Sequence, residues 1–200
     1  MTSSLILNLQ PKICKKSCKT CGLSVFQSPV YEQLRLADVF WVGLSAVKFK
    51  DEDEKLPLSS LTASGSLIHT IEQPFSHKMS FYKTNLVKCA PMEGGKLRYP
   101  LSYEMEKCFP NFQWELEKLE PTTVFLLGKQ VASFVLKKLS PHKPLFSESF
   151  NYASFEIGPI NFIPIHHPSY MLVYKRKNLK QYIENVRKHF PVKILLSLPV

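Results

Sequence analysis

The chain has 200 residues, 44% of them hydrophobic and 12% aromatic, which excludes a disordered segment and suffices for a full core without disulfide staples. Its 26 Lys and Arg against 16 Asp and Glu leave a formal charge of +10, which favours an anionic partner, nucleic acid first. No run reaches the ~18 consecutive apolar residues of a membrane span, and Leu5-Ile6-Leu7 is too short for the core of a signal peptide. The expected location is a reducing cytoplasm, where five cysteines serve as metal ligands or thiols rather than disulfides. Residues 1–200 are expected to form one domain, monomeric, with no membrane contact and no organic cofactor.

In chain order, residues 1–35 carry the cluster Cys14-x3-Cys18-x2-Cys21 and then Gly22. Asp38 to Gly43 is an apolar run closed by glycine, a buried first strand. Residues 48–55 form a charged loop with Asp51, Glu52, Asp53 and Glu54, and loop chemistry from Pro57 to Gly65 leads into a helix at about 66–73. Phe81 to Val87 is a second buried strand, aromatic and β-branched, stopped by Pro91. After Gly94-Gly95, Ser102 is expected to cap a helix over about 102–119, in which Met105, Cys108, Phe109, Phe112, Leu116 and Leu119 recur at three- and four-residue steps. Thr122 to Leu127 is a third strand, broken by Gly128, with an amphipathic helix to about Lys138. Residues 140–158 are irregular with a small hairpin, Asn161 to Ile165 is a fourth strand, and a basic helix spans about 176–189. Strands alternating with helices predict an α/β fold: a three-layer α/β/α sandwich around a central, mainly parallel four-stranded sheet.

Ligands bind where the strands of an open α/β sheet end at their carboxyl side. At the end of the second strand stand Asn85, able to present a donor and an acceptor to a nucleobase edge, and Cys89, a soft ligand. Cys18 and Cys21 before it and Cys108 after it complete a set of four thiolates, suited to an iron–sulfur cluster or structural zinc. The irregular spacing of Cys89 and Cys108 favours a 4Fe-4S cluster, with zinc the alternative and core packing of Cys108 a third reading. A radical S-adenosylmethionine reading of Cys14-x3-Cys18-x2-Cys21 needs a longer chain, so Cys14 is treated as a spare thiol.

Five separated features together resemble the uracil-DNA glycosylase superfamily, and within it the iron–sulfur family 4 and family 5 enzymes. Cys18-Lys-Thr-Cys21-Gly-Leu is similar to their N-terminal ligand pair. Thr84-Asn85-Leu86-Val87-Lys88-Cys89-Ala90-Pro91 is similar to their central motif, and Glu104-Met-Glu-Lys-Cys108 to the helix with the fourth ligand. Pro121 to Ala132 is similar to their strand–glycine–helix unit, and His167-Pro168-Ser169-Tyr170 to the C-terminal motif whose histidine faces the scissile bond. The first motif departs: Gly43-Leu44-Ser45-Ala46-Val47 lacks the family 4 carboxylate, and Leu58 stands where the family stacks a phenylalanine on uracil.

The resemblance implies a DNA glycosylase that flips out uracil or another altered pyrimidine and hydrolyses its glycosidic bond, in DNA repair or defence against modified foreign DNA. It implies a base pocket of Gly43, Leu44, Ser45, Leu58 and Asn85, with Asn85 reading the base and His167 donating to the leaving base. Asp53 is the choice for water activation among the four acidic neighbours. His166 is expected to be a loop residue bonded to backbone. Tyr170, Met171 and Leu172 would supply a DNA-entering wedge after the His-Pro-Ser turn, whose Ser169 also meets DNA, with core packing of Met171 and Leu172 as the other reading. Lys175, Arg176 and Lys177 would meet phosphates, joined by Lys180, Arg187 and Lys188 and by Lys83 and Lys88. The different-class alternative is a catalytically silent iron–sulfur nucleic-acid-binding module, with a redox sensor behind it.

Overall fold

Strand β1 (Val39–Ser45) is apolar on both of its faces, and the period-2 alternation divides it between two cores. Phe40 and Val42 enter one cluster, while Val39 and Trp41 enter the other. The computed structural model describes residue 18 and residues 21–49, 55–141 and 150–191. Helix α1 (Ala63–Glu72) follows, with Thr62 Oγ1 accepting the Gly65 N–H at its start. Then come β2 (Phe81–Val87), the short hairpin β3 (Met92–Glu93) and β4 (Lys96–Leu97), and α2 (Ser102–Leu119). The chain continues through β5 (Thr123–Leu127), α3 (Lys129–Leu139), β6 (Phe155–Ile157), β7 (Ile160–Ile165), α4 (Pro168–Tyr174) and α5 (Leu179–Arg187).

The sheet order is β2-β1-β5-β7-β6, parallel except for the antiparallel edge β6. The expected α/β/α sandwich is what forms, but the sheet has five strands and not four. The extra strand is one arm of the hairpin expected within 140–158, turned at Gly158, whose φ of 59° suits glycine. Its three residues are too few for an alternation signal. Helices α2 and α3 cover one face through Phe109, Phe112, Leu116, Val131 and Val135. Helices α1, α4 and α5 cover the other through Leu67, Ile68, Met171, Tyr182 and Val186. No helix among the described residues is long and apolar enough to cross a membrane.

Two expectations about helix starts change. Leu101, not Ser102, holds the cap position of α2, and its N–H donates to the Glu104 carboxylate at 2.7 Å. Helix α4 begins immediately after His167, in a stretch to which the sequence assigned no helix.

From β1 the chain lays β2 on one side, and β5 lies on the other. Loops leaving neighbouring strands in opposite directions open a crevice at the carboxyl ends of β1 and β5.

Candidate active site

A cavity of about 820 Å³ occupies that crevice. Its deepest polar group is Asn85, 3% exposed. Parallel pairing sets Asn85 directly beside Gly43. A β-carbon on residue 43 would stand 2.3 Å from Asn85 Oδ1, so only glycine lets the amide lie against β1. No hydrogen-bond partner for that amide exists among the described residues, which leaves its donor and acceptor to the cavity. Gly43→Ala is therefore expected to displace the amide and to cut the base release that the resemblance implies by about 10²-fold, with the fold retained by circular dichroism. Activity within twofold of wild type would show that the position of Asn85 does not matter.

Leu44, Ser45 and Leu58 line the same cavity. Leu58 has φ 50°, an uncommon conformation for a branched side chain. Its loop is pressed onto α1, where a β-carbon on Gly65 would lie 2.0 Å from the Ser59 carbonyl oxygen. Leu58 Cδ2 in turn comes within 3.4 Å of the space beside Gly43. The leucine thus presents an apolar wall next to the Asn85 amide.

His167 enters from the end of β7 and caps α4. The Ser169 backbone N–H donates to His167 Nδ1 at 3.2 Å, and the Ser169 hydroxyl lies 2.8 Å from the same nitrogen. A nitrogen that accepts carries no proton, so the neutral ring holds its hydrogen on Nε2. Burial pushes the imidazole below its ordinary value, which favours that neutral form. Gly128, with φ 91°, lets the start of α3 pass beside this residue, its missing β-carbon 3.5 Å from His167 Cβ. His166 is bound differently from the expectation of a backbone partner. Its Nδ1 lies 2.9 Å from the Tyr152 hydroxyl, and its ring stacks on Tyr170 at 5.3 Å.

Ser169 and Tyr170 line the cavity, as do Val173 and Tyr174. Met171 is 4% exposed and packed in the core, and half-buried Leu172 rests on the same cluster. Of the two readings at these positions, the core one is what forms, because the helical period of α4 turns residues 170, 173 and 174 outward. Lys175, Arg176 and Lys177 are exposed in the turn that follows. Three other cations leave the expected phosphate face. Lys83 pairs with Glu72 at 2.8 Å, Lys88 is fully buried against Glu115, and Arg187 donates to the Thr70 and Ile71 carbonyls at the end of α1. Asp53 lies outside the described residues, as does Cys14. Among the described residues no carboxylate lines the cavity.

The reading of the sequence missed Arg98 and Tyr99, which the β3–β4 hairpin brings to the cavity. The available signal was Gly94-Gly95, both with positive φ, a tight hairpin turn that returns the chain toward Asn85.

A second, small cavity is lined by Cys18, Cys21, Cys89 and Cys108, which form no disulfide with one another. The Lys88 N–H points at Cys108 Sγ from 3.3 Å and the Asn111 amide from 3.7 Å. The space enclosed is about 10 Å³, and no three His, Cys, Asp or Glu among the described residues are placed to hold a metal ion. In donor chemistry the four thiols suit a soft metal centre.

The family model described as the uracil DNA glycosylase superfamily matches residues 31–190. The crystal structure of wild-type SMUG2 from Pedobacter heparinus is similar in fold, with a TM-score of 0.55 at 15% identity over 80% of this chain and 77% of that one. A search of curated proteins finds no match. With the family model spanning both the Asn85 strand and the His167 turn, the chain belongs to the uracil DNA glycosylase superfamily.

Proposed function

We propose that the protein is a monofunctional DNA glycosylase that excises uracil or another altered pyrimidine from DNA. The observation that carries this reading is the unpartnered, buried Asn85 amide sharing one cavity with a neutral His167. A flipped pyrimidine would meet Asn85 with its Watson–Crick edge, Nδ2 donating to a ring carbonyl and Oδ1 accepting the ring N–H. Breakage of the glycosidic bond leaves the electron pair on the base and positive charge on the sugar. The Nε2–H of His167 donates to the departing base, a bond that strengthens as charge develops. Water then forms the new bond to the sugar carbon and gives up a proton. Asp53 is the proposed acceptor of that proton, close in sequence to the cavity residues Phe49 and Leu56. The exposed Lys175-Arg176-Lys177 turn, next to Tyr174 at the cavity, suits the phosphates of the strand.

The test is base release from DNA duplexes and single strands containing uracil, hypoxanthine, xanthine, 5-hydroxymethyluracil or glucosylated hydroxymethylcytosine, read by mass spectrometry. Release of a pyrimidine with an alkali-labile abasic site left behind supports the reading. No release from any substrate, with DNA binding intact, turns it to the silent binding module. What favours that second reading is the first motif, Gly43-Leu44-Ser45-Ala46-Val47, which lacks the family 4 carboxylate.

We also propose that Cys18, Cys21, Cys89 and Cys108 hold a 4Fe-4S cluster, with zinc as the alternative. When bound, the cluster would tie together the N-terminal segment, the end of β2 and α2, a structural role. What supports it is the donor set and the two N–H groups aimed at Cys108, since such bonds stabilise a thiolate ligand. Protein purified without oxygen is expected to be brown and to contain iron with acid-labile sulfide. Cys108→Ser should lose both, and Cys14→Ser should keep them. Stoichiometric zinc without iron overturns the cluster.

A further inference from the structure

Arg98 lines the large cavity but is held from the other side by a residue of the thiol cavity. Its backbone N–H donates to the Pro91 carbonyl at 3.0 Å, which ties the end of the hairpin to the segment after β2. Its Nη1 and Nη2 donate to the two oxygens of Glu104, at 2.8 and 2.6 Å. Nη1 also donates to the Tyr99 carbonyl at 2.9 Å. Glu104 is 1% exposed, lies on α2 one turn before Cys108, and accepts the Leu101 N–H as well. The Arg98 guanidinium holds this carboxyl well below the usual carboxylate range. The arginine is therefore fixed in orientation, not a mobile surface cation.

A guanidinium has five N–H donors in a planar fork. Three are accounted for here: both of Nη1 and one of Nη2. The remaining two, on Nε and the outer side of Nη2, share one edge of the plane, and no partner for them exists among the described residues. That edge is a second fork, of the spacing that accepts two oxygens of a phosphate. Its neighbour Tyr99 is 73% exposed, so the fork stands at the mouth of the cavity, whereas Asn85 is deep within it. In a nucleotide turned into the cavity the base goes deepest and its phosphates stay outside.

Resting on the glycosylase reading, we infer that Arg98 binds a backbone phosphate next to the flipped nucleotide, with Glu104 as its positioning residue. The contact is one the sequence motifs do not mark. It also places Glu104 between the two cavities, so the helix that carries Cys108 sets the orientation of a DNA-binding group. The fork serves phosphate rather than the base, because the base is read by Asn85.

The experiment is the salt dependence of DNA affinity and the KM and kcat of base release, for wild type and for Arg98→Ala, Arg98→Gln, Arg98→Lys and Glu104→Gln. Thermal melts establish that each is folded, and the glutamine variant serves if alanine at 98 is unstable. Both neutral replacements should weaken binding about 10-fold, raise KM more than they lower kcat, and shrink the log–log salt slope by about 1, equally for all sequences. Arg98→Lys should recover the slope but not the full affinity, since an ammonium cannot fill a two-oxygen site. Glu104→Gln should raise KM while keeping the slope, because the charge survives and its orientation does not. An unchanged slope in both neutral variants, or a loss confined to one base, overturns the assignment of Arg98 while base release by wild type upholds the glycosylase. Absence of release by wild type on every substrate fails the glycosylase reading itself.

Discussion

Replacing His167 with alanine is expected to slow base release by about 10²–10³-fold, the usual cost of removing one donor to a developing anion, while DNA affinity stays within a few fold. The substitution also removes the α4 cap, at a cost of about 1 kcal/mol, so its two effects must be separated. His167→Asn does this. Asparagine is a good cap and restores the Ser169 N–H bond, but its amide donates from a different place. Melting temperature should therefore recover in the asparagine variant and the rate should not. Equal recovery of both would reduce His167 to a cap.

The pH profile carries the same reasoning. Protonation of His167 needs a hydrogen on Nδ1, where the Ser169 N–H already donates, and burial opposes the charge. Its pKa in the folded protein thus lies below the ordinary value near 6.5. Base release should stay flat through neutral pH and fall only on acidification below that value. Stability follows the same sign: the unfolded chain binds the proton first, so the contribution is full above about 6.5 and is lost as pH drops toward the folded value. An acid limb above 6.5 would contradict the neutral imidazole.

Glu115→Ala is expected to lower the unfolding free energy by about 3–5 kcal/mol, with a fall in Tm on the order of 10 °C. Lys88 and Glu115 are both fully buried, 2.6 Å apart. Thr84 Oγ1 accepts from Lys88 Nζ at 2.6 Å and donates to Glu115, and the Tyr82 hydroxyl donates to Glu115 at 3.1 Å. Burial pushes the Glu115 carboxyl up, while the ammonium and the two hydroxyls pull it back. Removing the carboxylate leaves an ammonium in the core with, among the described residues, only Thr84 and the Tyr31 ring, 5.6 Å from it, for company. The paired replacement Lys88→Met with Glu115→Leu should regain most of the loss, since a buried pair is often matched by apolar residues of similar volume. Similar losses in the single and double variants would show that packing, not the unpaired charge, sets the cost. Because Lys88 lies between Asn85 and Cys89, the single variant should also disturb both cavities.

The sequence alone was enough for the layers of the fold and the identity of the main cavity residues. Long buried strands such as Phe81 to Val87 and a helix as regular as Ser102–Leu119 carry their periodicity in the residues themselves. Gly43, Leu58, Asn85 and His167 were legible because each stands at a strand end or in a loop beside one, inside a motif. What lacked local signal was short or depended on a distant partner. Strand β6 has three residues and α4 seven, too few to show a period, so the sequence left Met171 open between the core and the DNA. The motif marked His167 but not the partner of His166, which packing sets against the Tyr152 hydroxyl 14 residues earlier. Lys88 and Arg187 look like DNA-binding charge in the chain, and their fate was decided by a carboxylate on α2 and the carbonyls at the end of α1. Arg98 gained a directed free edge only because Glu104 holds the opposite one. Strand and helix periods are properties of neighbours in sequence, whereas the pairing of a charge is a property of neighbours in space.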